Sequence, residues 1–155
     1  RFFYVMRSHE QHLDFDLELA KKQTRENPVY YVQYAHARIA SVFRQLGEQG
    51  LTHNRFVGDS ARMRLQNDYE LALLTEMQRY PEVIEQSAQA RAPHLIANYL
   101  RELAAALHSY YDASGEKILC EDDELRNARL NLVLAVKQVL ANGLKLIGVS
   151  APEQM

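Results

Sequence analysis

The sequence predicts an all-α domain, on three observations. Its longer segments are rich in Leu, Ala, Gln, Glu and Arg; apolar residues recur at spacings of three and four; and the segments open on residues that cap helices. At 155 residues and 47% apolar composition, the chain can bury roughly 70% of its unfolded surface in one core.

The first 26 residues are the least regular. Leu13, Phe15, Leu17 and Leu19 alternate with Asp14, Asp16, Glu18 and Ala20, a strand-like period, but the following Ala20-Lys21-Lys22-Gln23 favours a helix, which is the expectation here. Asn27-Pro28 is a strong start signal, because Asn accepts from orphan amides and Pro is pre-set for the first helical turn. One helix should run from there to about Leu46 and end at Gly47 or Gly50. Its core stripe is Val29, Val32, His36, Ile39, Phe43 and Leu46, with His36 read as a hydrogen-bonded core histidine.

Residues 51–66 mix polar and apolar positions around His53, Asn54, Gly58, Asp59 and Ser60, which predicts loop or short turns. Asn67-Asp68 caps a helix through Tyr80 with Leu73, Leu74, Met77 and Tyr80 on one face, and Pro81 begins a short helix carrying Val83, Ile84 and Ala88. Pro93 starts a longer one whose stripe is Ile96, Tyr99, Leu100, Leu103, Leu107 and Tyr110, stopping between Tyr111 and Gly115. The acidic run Glu121 to Glu124 suits the positive end of a last long helix. That helix buries Leu125, Ala128, Leu132, Val136 and Val139, with Asn142-Gly143 as its terminator and a short helical turn after it. Arg126 and Arg129 are read as structural ion pairs.

Composition also excludes function classes. With 18 Lys plus Arg against 20 Asp plus Glu the net charge is −2, so any nucleic-acid contact must be local rather than bulk electrostatic. Cys120 is the only cysteine, which leaves no disulfide framework or zinc ribbon and makes a reducing, cytoplasmic setting the default. Arg1 in place of Met is read as a start inside a longer chain, and Phe2 to Met6 is too short for a signal core or membrane span. His9-Glu10-Gln11-His12 lacks the spacing of zinc hydrolases, no nucleophile elbow or phosphate-cradling loop occurs, and no metal or catalytic residue is expected.

The most informative segment is Pro28 to Arg44. On a helical rotation Tyr31, Tyr34 and Arg38 share a sector of roughly 60° away from the centre of the core stripe, with Ser41 and Gln45 extending it. Two aromatic rings beside a guanidinium can stack unpaired bases and contact phosphate. The same residues could instead pack beneath another helix, with Arg38 paired to a carboxylate, since aromatic side chains more often cover cores than ligands.

Tyr31-Val32-Gln33-Tyr34-Ala35-His36-Ala37-Arg38 resembles the Y-x-Q-Y-A-H-A-R signature of arginyl-tRNA synthetases, and Asn142 to Met155 resembles the family's terminal N-G-L-x-L-L-G-x-x-x-P-x-x-M. Tyr80 to Ile84 and Pro93 to Ala104 fit as well, so the resemblance spans the chain. It implies a helical bundle of the class I synthetase anticodon-binding type over 27–155, with 1–26 ending the connection from a catalytic domain. The whole enzyme would use ATP to join arginine to its tRNA. The family's H-I-G-H-like and K-M-S-K-S-like segments are absent from this sequence, so these residues alone should be inactive and hold no cofactor. The implied partners are the arginine tRNA anticodon stem-loop and the catalytic domain of the same chain, in a monomer without membrane contact. Residue by residue, the resemblance implies tRNA contact for Tyr31, Tyr34 and Arg38, for Arg44, for Tyr111 as an aromatic beside the central cytosine, and for Met155 near the same pocket. Whether Tyr110 or Tyr111 faces the RNA stays open, and a helical protein-interaction module is the competing reading.

Overall fold

The computed structural model describes residues 1–8, 10, 12, 14–113, 115 and 117–155; the His9-to-His12 motif and the alternation at Leu13 therefore fall partly outside the described residues. Among the described residues every regular element is helical. In chain order these are α1 (Phe2–Val5), α2 (Leu17–Lys21), α3 (Pro28–Glu48), α4 (Arg55–Ser60), a 3-10 turn (Arg62–Arg64), α5 (Asp68–Gln78), α6 (Tyr80–Ala90), α7 (His94–Asp112) and α8 (Asp123–Leu146).

The start signals act as predicted. The Asn27 side-chain oxygen accepts from the Val29 and Tyr30 amides, at 3.2 and 3.5 Å, while its amide nitrogen donates to the Ala20 and Lys22 carbonyls at 3.1 and 2.8 Å. One buried side chain thus starts α3 and ties down the segment before it. Asn67 and Glu70 form a capping box at α5, and the Asp122 side chain caps α8.

α7 occupies the middle of the bundle, packed against α3, α5, α6 and α8, and α4 lies along α8. Its predicted stripe is the centre of the core: Tyr99, Leu100, Leu103, Leu107 and Tyr110 are all buried. Each such leucine contributes about 1.5–3 kcal/mol by leaving water.

Three boundaries differ from expectation. Among the described residues of the first 26, helix is limited to Phe2–Val5 and Leu17–Lys21; none of the latter's residues is buried, and a helix that short cannot propagate without packing. Phe15 instead anchors the stretch before it, lying 5.6 Å from the Tyr4 ring and edge-on to Phe3. The helix expected to run through Tyr80 ends at Gln78, and Tyr80 opens α6, one residue before Pro81. Asn142-Gly143 does not terminate α8, which continues to Leu146 and so takes in the start of the turn expected after it. Gly143 is there for close approach: a Cβ at this position would lie 2.5 Å from a Leu100 methyl on α7. The left-handed residue past the helix end is Gly148, at φ +69°.

Candidate nucleic-acid interface

α3 carries the candidate residues on the flank of its buried stripe. Val32, His36, Ile39 and Leu46 are buried and Val29 and Phe43 are half-buried against the core, which turns Tyr34 and Arg38 toward α7 and the chain terminus. The core histidine behaves as expected: His36 Nδ1 lies 2.8 Å from the Pro152 carbonyl. A carbonyl only accepts, so this nitrogen carries the proton.

That bond belongs to a set that fixes the last residues of the chain. Gln33 donates to the Ser150 carbonyl at 2.9 Å, Arg44 Nη1 to the Glu153 carbonyl at 3.1 Å, and Lys137 Nζ to the Glu153 carboxylate at 2.7 and 2.9 Å. The tail is pinned across α3 rather than frayed. Met155 is thereby held, half exposed, at the mouth of a recess of about 280 Å³ that Tyr34, Arg38, Ser41, Arg44 and Tyr111 also line.

Arg38 is the centre of this recess. Its guanidinium lies 3.9 Å from the Tyr111 ring centre and 5.4 Å from that of Tyr34. Nη2 donates to Asp112 Oδ1 at 2.8 Å and Nη1 to His108 Nδ1 at 3.1 Å. Arg25, from the segment before α3, donates to the other Asp112 oxygen at 3.3 Å. Arg38 is only 14% exposed at its side chain, a cation positioned by four neighbours rather than a free one. The tyrosine–arginine face therefore combines both sequence readings: Arg38 does pair with a carboxylate, and Tyr34 and Tyr111 still border open space.

The Tyr34 ring neighbours those of Tyr30, at 6.0 Å, and His108, at 5.7 Å. Tyr31 packs on His108 at 4.7 Å and lines a neighbouring cleft with Arg25 and Arg101. The structure thus brings Tyr34, Arg38, Arg44, Tyr111 and Met155 to one recess and leaves Tyr31 beside it. Helix phase separates the two C-terminal tyrosines of α7: Tyr110 is buried, its hydroxyl 3.4 Å from Glu70, and Tyr111 is the one at the recess.

Sequence reasoning missed His108 and Asp112. With Tyr111 they stand at i, i+3 and i+4 on one face of α7, a spacing that would have grouped them. Arg38 has no acceptor, so His108 Nδ1 must be unprotonated and Nε2–H donates to the Tyr31 carbonyl at 3.3 Å. Burial pushes the His108 imidazole below its ordinary value, and the nearby Arg38 and Arg25 charges push the same way. Partial burial works to raise the Asp112 carboxyl, but its hydrogen bond with Arg38 and the charges of Arg38 and Arg25 outweigh it and hold it low.

A histidine depressed in the fold takes up its proton more readily in the unfolded chain. Its contribution is therefore present above the ordinary histidine value of about 6.5 and is lost as pH falls from there toward the folded value. Asp112, depressed from 3.8, loses its contribution only at more acidic pH. The melting temperature should fall between pH 7 and 5.5, and His108→Gln should flatten that slope. A wild-type melting temperature constant across this interval would contradict the buried neutral imidazole.

Among the described residues no helix is long and apolar enough to cross a membrane. Residues 32–155 match the family described as DALR anticodon binding domain. Over its whole length the chain is 59% identical to the arginine–tRNA ligase of Coxiella burnetii (strain RSA 331 / Henzerling II), of which it covers 26%. It is also 59% identical to that of Halorhodospira halophila, again covering 26%. The fold superposes on the arginyl-tRNA synthetase of Thermus thermophilus with a TM-score of 0.81 at 34% identity, over 99% of this chain and 25% of that one. The chain thus spans about a quarter of the length of these relatives.

Proposed function

Because the chain belongs to the DALR anticodon-binding domain family, we propose that it reads the anticodon loop of arginine tRNA as the RNA-binding part of an arginine–tRNA ligase. The observation that carries this reading is the recess between α3, α7 and the pinned terminus, where Arg38 lies over Tyr111 beside Tyr34 and Met155. It pairs aromatic faces, on which an unpaired base can stack, with a positioned guanidinium for a base edge or phosphate. Its volume of about 280 Å³ suits one flipped-out base rather than a helix edge. A net charge of −2 is compatible with such a site, since stacking and hydrogen bonds carry single-stranded recognition more than bulk charge does.

In the whole enzyme, ATP-driven activation of arginine would fall to a catalytic domain in the same chain, and this domain would hold the far end of the tRNA, in a monomer working in the cytoplasm. Removing one stacking ring should weaken RNA binding by about 1–3 kcal/mol, or 5- to 150-fold. Tyr34→Ala should therefore weaken binding of an arginine anticodon stem-loop by that factor, and Tyr34→Phe by less. Deleting Met155 should weaken it several-fold with little change in melting temperature, since the residue is half exposed and the tail bonds lie before it. Fluorescence anisotropy at one salt concentration decides the matter. Unchanged binding by all three folded variants would favour a partner helix, not RNA, as the occupant of this face.

A further inference from the structure

Tyr111 is a wall of two recesses, not one. Beyond it along α3 lies a second, of about 330 Å³, lined by Val42, Gln45, Gln49, Lys117 and Leu119 as well as Tyr111. Gln45 stands seven residues past Arg38, about 10 Å along the helix axis, so the two recesses follow one another on the same element.

The second recess has a different chemistry from the first. Val42 and Leu119 give it an apolar lining. Two carboxamides border it, and Gln45 makes a single long bond to Ser41 Oγ at 3.4 Å. Neither the Gln49 carboxamide nor the Lys117 ammonium has a side-chain partner among the described residues. The wall itself is fixed. Arg129 Nη1, on α8, donates to the Lys117 carbonyl at 2.7 Å, and Ile118 next to it is buried.

We propose that this second recess receives a second unpaired nucleotide, adjacent in the strand to the one held beside Arg38, so that the Tyr111 ring divides two bases. The inference rests on the RNA-binding reading of the first recess. An unpaired nucleotide offers an apolar face, an edge of mixed donors and acceptors and a phosphate. The recess offers an apolar lining, two carboxamides that both donate and accept, and a cation at its rim. The Gln pair selects the base, and Lys117 meets the phosphate without sequence preference.

The test is binding of arginine anticodon stem-loops to the chain, using the intact loop and a set in which each loop nucleotide in turn lacks its base. Two neutral hydrogen bonds correspond to about 5- to 150-fold in affinity, so Gln45→Ala/Gln49→Ala should weaken binding of the intact loop within that range. One abasic position should weaken wild-type binding and have no further effect on the double variant. A neighbouring position should behave in this way with Tyr34→Ala. Lys117→Ala should lower the salt dependence by about one phosphate contact. Both glutamines are exposed, so unchanged melting curves will show that the variants fold. Wild-type affinity in the double glutamine variant, with Tyr34→Ala still impaired, would overturn the second recess and leave the first intact. A glutamine effect that no single abasic position reproduces would overturn it too. Failure of wild-type protein to bind any stem-loop would instead remove the RNA reading on which both recesses depend.

Discussion

Replacing Arg129 with Met should destabilise the domain by about 3–5 kcal/mol, a large part of the stability of a fold this size. Arg129 Nε donates to Glu70 Oε1 at 2.7 Å, joining α8 to α5 where the two side chains are 7% and 1% exposed. The same carboxylate accepts the Tyr110 hydroxyl at 3.4 Å, and its other oxygen accepts the Asn67 amide at 3.1 Å to close the capping box. Deleting the cation leaves a carboxylate in the core, which costs far more than the pair itself contributes over an apolar equivalent. Glu70→Gln keeps the shape and the cap contacts but takes the charged partner from the Arg129 guanidinium, which keeps its bond to the Lys117 carbonyl. The double change Glu70→Gln/Arg129→Met should therefore be less destabilised than the sum of the two single changes. Urea unfolding of the four proteins gives the coupling directly. Additive single effects would mean that the ion pair is not what holds these helices together.

The pair also shows where sequence reasoning stops. Both arginines after the acidic run were expected to be paired, and both are, but only one partner was local. Arg126 meets Asp123, one turn away in the same helix, whereas Glu70 lies 59 residues from Arg129. Periodicity encodes neighbours on one helix and says nothing about which helices meet. The stripe Leu103, Leu107, Tyr110 runs to the end of α7 without deciding which of Tyr110 and Tyr111 faces the RNA, and only the packed bundle buries Tyr110 and places Tyr111 against Arg38. The misread of Gly143 has the same origin. Near a helix end, a glycine needed for backbone reversal and a glycine needed for contact with another helix look alike in sequence. What the second one touches, Leu100, lies 43 residues away. The recess itself was legible where a long ordered motif on α3 specified it. Asp112 and His108, which fix its guanidinium, were not, because their role depends on a partner helix.

Arg38→Ala should be the most damaging single change for RNA binding, at about 2–5 kcal/mol, while Arg38→Lys should recover only part of the loss. Alanine does more than remove a cation. Asp112, whose ionised form Arg38 favours, would remain beside the recess with only Arg25 at 3.3 Å for a partner, and a carboxylate there repels phosphate. Alanine also leaves Tyr111 without the guanidinium that lies 3.9 Å from its ring centre, so the stacking wall is less well positioned. Lysine restores the charge but not the planar fork, which reaches Asp112 and His108 at once while lying on an aromatic face. Adding Asp112→Asn to Arg38→Ala should recover part of the lost affinity, because it removes the exposed negative charge without restoring any donor fork. Arg38→Ala should also flatten the dependence of affinity on salt, if its contact is with phosphate rather than a base edge. The decisive comparison is the stem-loop dissociation constant of the four proteins across a salt series. If Arg38→Ala binds within two-fold of wild type, Arg38 is a structural link between α3 and α7, and recognition in this recess must rest on Tyr34, Arg44, Tyr111 and Met155.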